Sequence, residues 1–164
     1  MAENEKKWIE LLNLPNMEDR SLILIAGNDV TEIAEKITER TSHTHPAIEN
    51  RVGKDDLRIT FQRISNSKLL VSNDSGPQHF AMAVRTPVVT IFGSTIPEFG
   101  FYPVGQFDEI VETDLDLNCR PCGIHGRRKC PIKTFDCMNS ISVDTVIAKI
   151  QLIESKLNSI YQGS

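Results

Sequence analysis

Residues 68–92 read KLLVSNDSGPQHFAMAVRTPVVTIF, and this stretch decides the fold. The apolar run at 68–72 reads as a strand, residues 77–84 as a helix and 88–92 as a second strand. Thr86-Pro87 stops the helix, because the proline ring disfavours helical backbone at the residue before it. A strand, a helix and a strand at this spacing form a βαβ unit, whose crossover makes the two strands parallel neighbours.

Working outward, residues 22–25 (LILI) form a short continuous apolar run that ends in Ala26-Gly27-Asn28-Asp29. Such a run predicts a parallel strand buried on both faces that feeds a tight loop. Trp8, Ile9, Leu11 and Leu12 recur at helical spacing before Pro15, and residues 31–40 and 57–66 read as further helices. The polar stretch 47–56 has room for a short edge strand and a turn at Gly53. Residues 109–112 offer one more strand, and residues 142–160 close the chain as a helix with Val143, Val146, Ile147, Ile150 and Ile153 on one side. Strands alternating with helices predict an α/β fold: a Rossmann-like, doubly wound parallel sheet, with residues 1–164 as one domain.

Bulk properties narrow the function. The chain has 164 residues, 40% hydrophobic and 24% charged, with a net charge of -4 and a pI near 5.6. That balance argues against a large basic face for nucleic acid, while leaving room for a local anion site built from backbone amides. No apolar run is long enough to span a membrane and the charged start is no signal peptide, so the expected location is the cytoplasm.

The chemistry is expected in the loop Asn73-Asp74-Ser75-Gly76-Pro77-Gln78-His79, between strand and helix, where open α/β sheets place their ligands. Glycine followed by proline at the first helical position leaves the next amides free at the positive end of the helix dipole, which is the outline of a diphosphate site. Gly76 lets an anion approach the main chain, Ser75 can donate its hydroxyl and His79 can reach the same oxygens. Asp74 needs a donor of its own, from loop amides or from a ligand hydroxyl. An ordinary turn fits the same letters: Asp74 or Ser75 caps the helix and His79 packs into the core.

Taken together, NDSGPQHFAMAVRTPVVTIFGSTIPEFGFYP, CRPCGIHGRRKCPIKTFDCM and ISVDTVIAKI resemble the family 9 glycosyltransferases, the ADP-heptose:lipopolysaccharide heptosyltransferases, and most closely their heptosyltransferase II type. The resemblance covers about residues 8–155 and implies the C-terminal, nucleotide-sugar-binding half of a GT-B enzyme, with the N-terminal acceptor domain and its general base missing. The implied partners are ADP-heptose or ADP and the lipopolysaccharide core acceptor; a different nucleotide sugar, or nucleotide binding without catalysis, is the alternative. The resemblance places Asp74, Ser75, Gly76, Gln78 and His79 at the diphosphate and neighbouring sugar. It places Glu32 at the adenosine ribose, with Asp29 as a competitor, and counts Gly27 among the nucleotide-sugar-binding residues. Gly93, Ser94 and Thr95 follow the next strand at the same rim, where pocket lining and a plain turn both fit.

The four cysteines, Cys119, Cys122, Cys130 and Cys137, lie within one segment. Their spacing could serve a tetrahedral zinc, but the preferred reading is reduced or partly disulfide-linked structural cysteines, with no cofactor required and no metal in the site. Arg120, Arg127, Arg128 and Lys129 read as a solvated basic run.

Overall fold

A computed structural model describes residues 2–41, 43, 48–127 and 129–162. The chain falls into two compact units, Met1–Thr60 and Phe61–Ser164. Both are built from helices and parallel strands, the α/β class expected from the alternating pattern.

In the first unit, α1 (Ala2–Leu12) packs on α2 (Thr31–Thr41), with Leu11, Leu12, Ala34 and Ile37 buried. The buried Thr41 hydroxyl donates to Ile37 O at 2.7 Å, so its burial leaves no orphaned donor. Strand β1 (Ile23–Leu24) pairs in parallel with β2 (Glu49–Asn50). The apolar run at 22–25 thus forms a strand of two residues instead of four, and Ile23 is 38% exposed. Burial on both faces needs cover on both sides, and a two-residue ladder to a polar partner supplies neither length nor apolar contact. Gly53 has φ +69°, and a Cβ there would stand 3.1 Å from Asn28 Cα, so the turn expected at this position requires glycine.

Helix α3 (Leu57–Ser65) leads into the second unit, where β3 (Leu70–Asn73), α4 (Gly76–Val84) and β4 (Val88–Phe92) are the expected βαβ unit. A further strand, β5 (Glu109–Glu112), pairs with β4, giving a parallel order β3-β4-β5. Every residue of the central strand β4 is buried, which is why its run VVTIF is uninterrupted by charge. Helix α4 ends at Arg85 in the left-handed conformation; the Thr86 hydroxyl then donates to Ile64 O at 2.8 Å, tying the turn to α3. The short α5 (Asp136–Asn139) carries no apolar periodicity of its own and was not expected. The last helix, α6 (Val143–Gln162), buries Val143, Val146, Ile147, Ile150 and Ile153 and packs on β4 and β5.

One ion-pair cluster joins α6 to the sheet. Lys149 Nζ and Lys156 Nζ, two turns apart on one helix face, donate to Glu109 Oε2 at 2.9 Å and Oε1 at 2.6 Å. Burial alone would raise the Glu109 carboxyl, but the bonds from Lys156 and Lys149 outweigh it and hold it below the ordinary carboxylate range. A carboxyl depressed in the folded state contributes stability above its unfolded value, about 4.3 for glutamate, and loses it as pH falls through the folded value. Glu109 is 12% exposed and both lysines are about a third exposed, so screening reduces the contribution to about 1–2 kcal/mol. Glu109→Gln should therefore lower stability by that amount at pH 7. The gap to wild type should narrow as pH falls below about 4.3 and through the lower folded value; a gap that does not shrink on acidification in urea titrations would contradict the pairing.

Candidate functional site

All of the diphosphate-loop residues lie in the second unit, at the carboxyl end of β3 and the start of α4. Ser75 is the N-cap, in extended conformation with φ -160°, and its side chain makes no capping bond. Its hydroxyl turns back instead, donating to Asn73 O at 3.1 Å and meeting Ser72 Oγ at 3.2 Å. Pro77 has no N–H, and an added Cβ on Gly76 would meet nothing within 4 Å. The helix thus begins without a side-chain lid over its positive end, and the space in front of Gly76 is open.

His79 is exposed on the first turn of α4, not packed into the core as the ordinary-turn reading required. Asp74, intermediate in exposure, accepts a hydrogen bond from the buried Thr95 hydroxyl at 2.7 Å. This supplies the donor that an acid beside an anion site needs. It also joins the loop after β3 to the turn after β4, two loops at the same rim of the parallel sheet.

Two expected contact residues are placed otherwise. Gln78 is fully buried; its amide nitrogen donates to Phe101 O, tying α4 to the segment 97–103, and its Oε1 has no hydrogen-bond partner among the described residues. Gly93 is buried under Met138, whose Sδ would stand 2.1 Å from an added Cβ, so a side chain there would have to displace Met138. Gly27 and Glu32 belong to the first unit. Gly27 precedes a 3-10 turn (Asn28–Val30), and Glu32, like its competitor Asp29, is an exposed carboxylate near the start of α2, where the helix dipole favours negative charge.

Arg120 is a correction. It is not part of a solvated basic run: its side chain is 11% exposed and pairs with Glu112 Oε2 at 2.6 Å. Its guanidinium also donates from Nε to Gly93 O at 2.9 Å and to Thr95 O at 3.2 Å, and from a terminal nitrogen to Thr95 O at 2.9 Å. Arg127 and Lys129 are exposed as expected, and Arg128 lies outside the described residues.

All four cysteines are free thiols, with Cys137 buried. Burial raises the Cys137 thiol, and the facing thiols of Cys122, Cys130 and Cys119 raise it further. Cys130 is shifted the other way: the Phe135 amide leads a ring of backbone N–H groups, with those of Ile132, Thr134 and Lys133, that favours its thiolate. Among the described residues no group of three or more His, Cys, Asp or Glu side chains is arranged to hold a metal ion. No helix among them is long and apolar enough to cross a membrane.

With this geometry in place, comparison with known proteins gives a consistent result. The pattern of glycosyltransferase family 9 (heptosyltransferase) matches residues 4–131. A lipooligosaccharide heptosyltransferase 2 of Campylobacter jejuni is 28% identical over 134 residues, which are 82% of this chain and 41% of the relative. The lipopolysaccharide core heptosyltransferase OpsX of Haemophilus influenzae is 30% identical over 117 residues, 67% of this chain and 33% of the relative. The solved structure of E. coli ADP-heptose LPS heptosyltransferase II superposes with a TM-score of 0.72 at 20% identity, over 93% of this chain and 42% of that one. That likeness shows the fold, the α/β parallel-sheet region of a GT-B glycosyltransferase. The chain spans about two fifths of the length of the first of these relatives.

Proposed function

We propose, on the premise that this chain belongs to glycosyltransferase family 9, the heptosyltransferases, that it binds the ADP-heptose donor for heptose transfer to lipopolysaccharide core. The observation that carries the proposal is the uncapped start of α4: an extended Ser75 with no capping bond and an open face at Gly76. Gln78 N–H donates to Ser75 O at 3.2 Å, so the helix dipole and the other amides at that point are what suit a diphosphate, and they need no metal to do so.

The same groups suit the reaction. When an acceptor hydroxyl attacks the anomeric carbon, the bond to the diphosphate breaks and negative charge grows on the departing ADP. Donors fixed before the reaction begins stabilise that charge without reorganising. His79, exposed on the first turn, is assigned a donor role toward the diphosphate, and Asp74, held by Thr95, a role toward a sugar hydroxyl. The base that takes the acceptor's proton is assigned to an acceptor domain outside these residues, so the segment alone should bind donor without turnover.

Calorimetric titration of the chain with ADP-heptose, ADP, UDP and GDP tests the reading. ADP and ADP-heptose are expected to bind, with UDP and GDP weaker by at least about tenfold, or 1.4 kcal/mol. Equal affinity for all three bases would remove the ADP-sugar assignment, and no heat from any of them would remove the donor site.

A further inference from the structure

We propose that Arg120 is a positioning residue of the donor site, acting through Thr95 on Asp74, and that the segment from Cys119 to Gly126 is the brace that holds it. The proposal rests on the donor reading of the Asp74 loop above.

The turn Gly93-Ser94-Thr95 presents three consecutive backbone carbonyls, and the brace occupies all three. Arg120 Nε donates to Gly93 O at 2.9 Å, the Cys122 amide donates to Ser94 O at 2.8 Å, and the Arg120 guanidinium forks onto Thr95 O. Glu112 Oε2, at the end of β5, accepts from the same terminal nitrogen that donates to Thr95 O, at 2.6 Å. Gly126 presses on the same turn: it has φ +69°, and an added Cβ would stand 2.4 Å from Ser94 Oγ. A planar guanidinium held at several points has one orientation, and so does the backbone it grips.

What the turn delivers is the Thr95 hydroxyl, 7% exposed, onto Asp74 Oδ2 at 2.7 Å. The other carboxylate oxygen, Asp74 Oδ1, is not engaged by this bond. The chain Glu112–Arg120–Thr95–Asp74 therefore fixes the carboxylate of the donor loop from a segment outside that loop. All three of its links are hydrogen bonds from side chains, two of them between residues more than 20 apart in sequence, and they bring the cysteine segment, which the donor reading had left without a task, into that site.

A double-mutant cycle on the full chain tests this, with ADP affinity as one readout and the Asp74 carboxyl-carbon NMR signal of the ligand-free chain as the other. Arg120→Lys keeps the charge opposite Glu112 but loses the fork, Thr95→Val removes only the hydroxyl, and Thr95→Ser restores it. Each of the first two should weaken ADP binding about fivefold, and the double variant should be no weaker than the worse single one, because both break one chain. Thr95→Ser should bind as wild type, a rescue that a merely structural role would not give. Both single variants should also shift the ligand-free Asp74 signal. Additive losses, or an Asp74 signal unmoved by Arg120→Lys, would overturn the positioning role while wild-type binding leaves the donor reading intact. Failure of the wild-type chain to bind ADP would overturn the donor reading itself, and with it the role given to Arg120.

Discussion

Phe92→Ala should destabilise the second unit by about 3–5 kcal/mol, a large share of the roughly 5–15 kcal/mol that holds a domain folded. Phe92 is fully buried at the end of the central strand, opposite Glu112 of β5, on the sheet that α6 covers. Truncation removes its apolar area from the core and leaves a cavity that strands paired on both sides cannot close. The site should suffer as well, because Gly93, Ser94 and Thr95 follow Phe92 directly and carry the hydroxyl that holds Asp74. Urea unfolding followed by backbone hydrogen exchange in β4 measures the cost. A loss below about 1 kcal/mol would mean that the side chain relaxes into other contacts and that the core is not centred on this strand.

The βαβ unit was legible because each of its signals is local. VVTIF is buried at every position, and Thr86-Pro87 and the glycine-proline pair punctuate the helix within a residue or two of where it begins and ends. The loop's position at the rim followed from the same reading. What escaped was whatever depends on distant parts of the chain. Residues 22–25 have the letters of a buried strand, but burial is decided by neighbours, and among the described residues β1 has only β2 beside it in its ladder.

Gln78 reads as a ligand contact because it is polar and sits in the loop. Its amide instead serves the Phe101 carbonyl, 23 residues away, a bond that no spacing announces. Arg120 reads as one of four neighbouring cations, yet the end of β5 puts Glu112 in its reach and the turn after β4 offers it carbonyls. Glycine at 93 is explained by Met138, forty-five residues on, and not by an approaching anion. Gly76 is the reverse case: an added Cβ would meet nothing within 4 Å, so packing does not account for it.

Gly76→Asp tests the open face at that glycine, because its expected effects on folding and on binding have opposite signs. Gly76 is the first residue of α4, does not have positive φ, and has open space where a Cβ would stand, so the protein itself should accept a side chain there. Replacing glycine restricts the unfolded chain, and a carboxylate in the first turn is favoured by the helix dipole by about 0.3–1 kcal/mol. The melting temperature should hold or rise. A diphosphate brought to the same amides, however, would meet that carboxylate at roughly 4 Å, where like charges repel by about 4 kcal/mol at the effective dielectric of a protein surface. Discounted for solvent at an exposed position, this leaves about 2–3 kcal/mol, or a roughly hundredfold loss of ADP affinity in calorimetry. Gly76→Asn, nearly the same shape without the charge, should lose much less, which separates repulsion from obstruction. If Gly76→Asp binds ADP as wild type does, the anion does not sit at the start of α4, and the open face at Gly76 has some other use.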